Sequence, residues 1–206
     1  MKAPEYFYTI DRQATETFRD RGSKFIAFAY PVPDTEMFKT CLRDLKKEHP
    51  KAVHHCFAYR IGVAGDIFRV SDDGEPSGTA GKPILGQIDS RKLTNTAVIV
   101  VRYFGGTLLG VPGLINAYKT ATALVLQTIP IIQKQVEQVY TVHFDYALIN
   151  EVMQILKNGN CSILEQDIQL FPNIKAGIPV KRLDEVLHRL NDLKNVETVK
   201  MADVLK

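Results

Sequence analysis

Between residues 53 and 61 apolar and polar side chains alternate with a period of two. This predicts a strand with Val53, His55, Phe57, Tyr59 and Ile61 on one face and His54, Cys56, Ala58 and Arg60 on the other. Residues 97–101 are apolar on both faces, the pattern of a central strand covered on both sides. Residues 23–32 read as a strand closed by Pro31 and Pro33. Asp34 then stands where it can cap a helix running to about residue 48, with Met37, Phe38, Cys41, Leu42 and Leu45 along its apolar stripe. A short strand at 67–70 can pair with 53–61 across the turn at 62–66. A polar segment at 71–81 leads into a short helix carrying Ile84, Leu85 and Ile88. A further helix is expected over 114–129, ended by Pro130.

Beyond Pro130 the pattern changes. Residues 138–144 alternate as a strand, and 147–157 place Leu148, Val152, Ile155 and Leu156 at helical spacing before an Asn-Gly-Asn stop at 158–160. Two alternating stretches follow at 163–171 and 174–180, joined by a Pro172-Asn173 turn. Leu183, Val186, Leu187 and Leu190 mark a second amphipathic helix, and 196–201 a last strand. The order β-α-β-β-α-β is the ferredoxin-like pattern, an antiparallel sheet with both helices on one face. The fold class is therefore α+β in two domains, residues 1–130 and 131–206.

Composition narrows the function classes. A chain of 206 residues with 45% hydrophobic and 24% charged residues is globular and not disordered or coiled-coil. Apolar runs such as 97–101 fall far short of the ~18 residues a membrane span needs, and the first ten residues do not read as a secretory leader. Cys41, Cys56 and Cys161 are odd in number and far apart, so neither a disulfide framework nor a zinc knuckle is expected, and the expected compartment is the cytoplasm. No cofactor or metal is implied. The net charge of +3 is mild but uneven. Residues up to Pro130 hold 17 Lys and Arg against 13 Asp and Glu, whereas the remainder holds 9 against 10. The basic excess therefore lies in the first domain.

Two segments there carry more chemistry than a core needs. Residues 71–82 include Asp72, Asp73, Gly74, Glu75, Ser77, Gly78, Thr79 and Lys82. At 102–110 a buried strand delivers Arg102, Tyr103 and Phe104 to a Gly105-Gly106 turn ahead of a helix N-terminus, which is an anion-ready geometry. Common motifs fail in both. Pro83 stands where a P-loop needs Ser or Thr, Ser77 lies in no Gly-x-Ser-x-Gly elbow, and no dinucleotide fingerprint or His-Glu-x-x-His occurs.

Each candidate has two readings. Asp72, Asp73 and Glu75 can bind metal or act as acid and base, or they can form an Asp-Gly turn that caps neighbouring N–H groups, with Thr79 capping the short helix. His54 and His55 face opposite ways; His54 is the better chemical candidate, His55 a core histidine and Cys56 inert core. Arg102 and Tyr103, with Lys82, Gly105 and Gly106, can hold phosphate and stack a base, or Arg102 can pair with Asp72 or Asp73.

The segments Asp-Asp-Gly-Glu-Pro-Ser-Gly-Thr-Ala-Gly-Lys-Pro-Ile-Leu at 72–85 and Val-Val-Arg-Tyr-Phe-Gly-Gly-x-x-Leu-Gly at 100–110 resemble the signature of the IMPACT/YigZ family, with 23–26 and 54–58 as further landmarks. The resemblance covers essentially the whole chain. It implies an N-terminal domain of the ribosomal-protein-like β/α fold shared with translocation factors and some small-molecule kinases. The implied C-terminal domain is ferredoxin-like and similar to the last domain of a ribosomal translocation factor. Pro112 and Asn116 depart from the glycine and arginine expected there. Eukaryotic relatives restrain the amino-acid-starvation response by competing for a protein that activates an initiation-factor kinase. The resemblance thus implies a translation-associated regulator that binds RNA or a ribosome-associated protein through the signature loops. The competing reading is a hydrolase-type enzyme, a peptidase or phosphoryl-handling activity, using Asp72, Asp73, Glu75, Ser77 and His54. A third is an interaction module that exposes an apolar patch on the ferredoxin-like sheet.

Overall fold

The computed structural model describes residues 4–205, with side chains to Met201. Two compact units form. One is Phe7–Lys134; the other takes in the chain from Gln135 together with the described residues up to Tyr6.

In the first unit, β1 (Tyr6–Ile10), β2 (Ala14–Asp20), β3 (Ser23–Pro31), α1 (Thr35–Glu48), β4 (His54–Ile61), β5 (Ile67–Ser71), α2 (Gly81–Ser90), β6 (Thr96–Tyr103), α3 (Gly110–Gln127) and β7 (Ile131–Gln135) follow in order. Five strands make one antiparallel sheet in the order β2-β3-β6-β4-β5, while β1 and β7 form a separate two-stranded ribbon. The alternation of β4 sorts its side chains as expected. Cys56 and Ala58 join Val98 and Val100 in the core under α2 and α3, whereas Phe57, Tyr59 and Ile61 join Ile99 and Val101 in a second core with Phe38 and Leu45 of α1. The central strand is thus covered on both faces, as its unbroken apolar run requires. Asp34 caps α1, its Oδ1 accepting the Met37 N–H at 2.8 Å.

Four elements depart from expectation. β1, β2 and β7 are strands that the hydrophobic pattern does not mark; β2 is an edge strand with no fully buried residue. α3 begins at Gly110, not at residue 114, because Pro112 falls in the first turn, where no N–H partner is needed.

The second unit runs β8 (Glu137–Phe144), α4 (Ile149–Asn158), β9 (Ser162–Asp167), β10 (Asn173–Pro179), α5 (Leu183–Asn191) and β11 (Val196–Leu205). Its sheet order β11-β8-β10-β9 is the ferredoxin-like arrangement. Tyr140, Val142, Ile174, Ala176 and Ile178 bury against Val152, Leu156, Val186 and Leu190 of the two helices. The strand expected over 163–171 ends at Asp167, and Leu170 and Phe171 stand in solvent at 86% and 81% exposure. On the face away from the helices Lys175 pairs with Glu165 at 2.9 Å beside Thr141 and His143, and Val199, opposite Thr141, is exposed on the same face. No helix of the described residues is long and apolar enough to cross a membrane.

Candidate functional site

β6 alternates, so its last two residues part company. Arg102 turns into the core beneath α2 and α3, and Tyr103 turns to the α1 side, where its hydroxyl meets His49 Nδ1 at 2.9 Å. They do not converge on one ligand.

Arg102 is 5% exposed. Its Nη1 donates to Glu75 Oε1 at 2.6 Å, and the Tyr118 hydroxyl of α3 donates to the same oxygen at 2.7 Å. The partner expected from the sequence was Asp72 or Asp73; the observed partner is Glu75, because both aspartates are held by backbone N–H groups. Arg102 Nη2 approaches Ser23 Oγ at 3.5 Å, and the guanidinium lies 5.4 Å from the Phe25 ring and 5.7 Å from that of Phe104. Cys56 Sγ is 3.3 Å from the Tyr118 oxygen, which completes a buried run from thiol to phenol to carboxylate to guanidinium. Burial pushes the Tyr118 phenol far up, with the neighbouring Cys56 and Glu75 adding to it, so it remains a donor. Burial likewise raises the Cys56 thiol, against the Tyr118 hydrogen bond, so no thiolate nucleophile is available.

The acidic segment folds around this run. Asp72 Oδ1 accepts from Ala80 N at 3.0 Å and Gly81 N at 2.8 Å, and its Oδ2 accepts from Gly78 N at 2.9 Å. Burial by itself raises the Asp72 carboxyl, but these three N–H groups and Lys82 outweigh it and hold it below its ordinary range. Asp72, and not Thr79, therefore caps α2; the Thr79 hydroxyl donates instead to Pro76 O at 2.7 Å. Asp73 adopts φ 42°, and its Oδ2 accepts the His55 N–H at 2.6 Å. Its carbonyl meets His54 Nδ1 at 2.7 Å, which makes that nitrogen the protonated one and turns Nε2 toward Glu75 at 3.8 Å.

The second loop is anchored rather than open. Ser23 Oγ accepts the Gly105 N–H at 3.2 Å. A Cβ on Gly105 would lie 1.9 Å from Gly22 C and 2.2 Å from Ser23 N, so only glycine permits this approach to the β2–β3 turn. Gly106, Ser77 and Lys82 are exposed.

The structure thus gathers Asp72, Asp73, Glu75, His54 and Arg102, keeps Lys82 exposed at their edge within reach of the Asp72 charge, and leaves out Ser77 and Tyr103. A hydrolytic constellation needs a nucleophile beside a free base. Here Asp72 and Asp73 are occupied by backbone N–H groups, Glu75 by Arg102 and Tyr118, and Ser77 lies outside. Among the described residues no group of three or more His, Cys, Asp or Glu side chains could hold a metal. Sequence reasoning missed Tyr118 and Ser23 as members of the cluster. The signal for Tyr118 was its place on the apolar stripe of α3 with Leu114, Ala117 and Ala121, where a phenol needs a buried partner.

The fold and this internal brace describe a two-unit α+β protein whose two signature segments clasp each other through a buried Arg-Glu-Tyr cluster. The chain belongs to the IMPACT family, since residues 21–126 match the Impact N-terminal domain and curated members match beyond it. It is 33% identical over 174 residues to the IMPACT family member YigZ of Escherichia coli, covering 84% of this chain and 85% of that one. It is 31% identical over 159 residues to YvyE of Bacillus subtilis, covering 77% and 73%. A crystal structure of a hypothetical protein, 28% identical, superposes with a TM-score of 0.74 over 97% of this chain and 99% of its own.

Proposed function

We propose that this chain is a non-catalytic, translation-associated regulatory protein that acts in the cytoplasm by binding a ribosome-associated protein through its N-terminal unit. The link to translation rests on membership of the IMPACT family. The choice of a protein partner over RNA rests on what the signature segments leave exposed. Their charged groups, Arg102, Glu75, Asp72 and Asp73, are turned inward onto one another and onto backbone N–H groups. The surface left over keeps one exposed cation, Lys82, and is otherwise dominated by apolar side chains: Leu108 is 81% exposed, and Phe104, Val111 and Ile115 are exposed on the loop and the first turns of α3. An RNA site needs free cations aimed at phosphates, and Arg102 is not free.

The test is sedimentation of the purified chain with ribosomes that retain their associated proteins and with ribosomes stripped of them by high salt. Binding to the first and not the second is expected, with loss on Leu108→Asp, a change at a solvent-facing position. Equal, steeply salt-dependent binding to the stripped particles would favour RNA instead. Absence from both ribosomal fractions would overturn the translational role.

A further inference from the structure

At one end of the ferredoxin-like sheet lies a groove of about 470 Å³, formed by the loop after β8, the β9–β10 loop and the start of β11. Leu170, Phe171 and Tyr146 border it and are 86%, 81% and 65% exposed. Three large apolar side chains in solvent around one concavity are what a protein keeps when something covers them. The polar lining has one sign: Asp145 and Glu197 contribute carboxylates, His143 is the only imidazole, and no Lys or Arg lines the groove. Asp145 is fixed in place, its Oδ2 accepting from Asn195 Nδ2 at 2.8 Å. Glu197 sits in register with His143 across the β11–β8 ladder.

We infer that this groove is a docking site for a cationic peptide segment, one bearing Lys or Arg on either side of an apolar or aromatic anchor. The anchor enters between Phe171 and Tyr146, and the flanking cations face Asp145 and Glu197. Charge decides the occupant. A nucleic acid would bring phosphates to two carboxylates with no cation to offset them, whereas a basic segment gains steering and register from the same groups. Aromatic rims of this kind concentrate binding energy in one or two residues. The groove belongs to the other unit from Leu108, and the inference does not rest on the Leu108 surface.

Fluorescence anisotropy on the full chain tests this with three fluorescein-labelled decapeptides: one rich in Lys and Arg around a central Phe-Leu pair, its Asp/Glu charge reversal, and a Lys/Arg version with Gly-Ser in place of Phe-Leu. The first is expected to bind, more weakly as salt rises, and the other two not. Phe171→Ser is expected to weaken it at least about tenfold, and Glu197→Lys to weaken it and flatten the salt dependence. Leu108→Asp should leave it unchanged, which separates this site from the proposed ribosomal one. Indifference of the first peptide to both groove variants, or equal binding of all three peptides, would overturn the inference. So would a dimer in light scattering that dissociates on Phe171→Ser, since a second copy would then be the occupant, or binding of a single-stranded oligonucleotide that Phe171→Ser abolishes.

Discussion

Glu75→Ala is the sharpest perturbation of the N-terminal unit. It removes the acceptor of both Arg102 Nη1 and the Tyr118 hydroxyl, and leaves a guanidinium whose side chain is 6% exposed with only the 3.5 Å approach to Ser23 and two aromatic faces. Arg102 Nε has no hydrogen-bond partner even in the intact protein, so nothing nearby stands ready to take the charge. Breaking one side of a buried pair costs about 3–5 kcal/mol. Against a typical domain stability of about 5–15 kcal/mol this is a large share. Removing both charges behaves differently. In Glu75→Met with Arg102→Met the desolvation cost of two ions disappears, and a double replacement of this kind ranges from neutral to a gain of about 1–4 kcal/mol. The stranded Tyr118 hydroxyl takes back about 1–3 kcal/mol, so the double variant should lie within about 3 kcal/mol of the parent. Because the chain has two units, urea unfolding is best followed through resolved amide signals of β6, which report the first unit alone. With a slope of about 2 kcal/mol per molar urea, the Glu75→Ala midpoint should fall by about 1.5–2.5 M and the double variant's by less than about 1.5 M. A Glu75→Ala midpoint equal to the parent's, or a double variant that loses the sum of the two single changes, would refute the buried-pair reasoning.

Gly105→Ala must part the β6–α3 loop from the Gly22-Ser23 turn and should cost more than about 2 kcal/mol. Gly106→Ala, at φ 85° with open space around it, should cost about 1 kcal/mol by thermal melting. Equal losses would sink the close-approach argument. The Asp72 carboxyl is held below its ordinary 3.8, so its stabilisation is present above that value and lost as pH falls through the folded one; Asp72→Asn should flatten the acid limb of the stability curve, and an unchanged limb would count against the cap. Burial lowers the His55 imidazole from 6.5 despite Asp73, so its neutral form supports the fold above pH 6.5 and that support fades as pH falls through the lower folded value. A ring-proton titration by NMR should show a midpoint below 6.5, and one at or above 6.5 would contradict the burial account.

The hydrophobic pattern was a good guide wherever a strand or helix has one wholly apolar side. β4 was readable to the individual face and β6 as a strand covered on both sides, and the order β8-α4-β9-β10-α5-β11 followed from period alone. β2 escaped because Ala-Thr-Glu-Thr-Phe-Arg-Asp places one large apolar side chain on an edge, and β1 and β7 because their pairing joins segments some 120 residues apart. The candidate site was legible as a list of residues but not as a set of partners. Asp72 caps a helix eight and nine residues ahead of it, beyond the local rule by which Thr79 was the expected cap. Arg102 and Tyr103, neighbours in sequence, are separated by the pleat of the strand that carries them.

The two-stranded ribbon of β1 and β7 has a consequence for synthesis. Residues 4–6 belong with the unit that begins at Gln135, and the Glu5 carbonyl accepts the Val136 N–H at 2.9 Å. On a ribosome adding about 5–20 residues per second, Glu5 waits roughly 7–26 s for Val136 to be made. By then Phe7–Lys134 has been made in full and can close as a self-contained insert, zipping β1 against β7 and bringing the two strand ends side by side. The later unit then closes a short gap in place of a chain loop of about 130 residues, whose entropy its own contacts would otherwise have to overcome. Mutations that loosen the ribbon should therefore slow the maturation of the ferredoxin-like half without touching one of its residues.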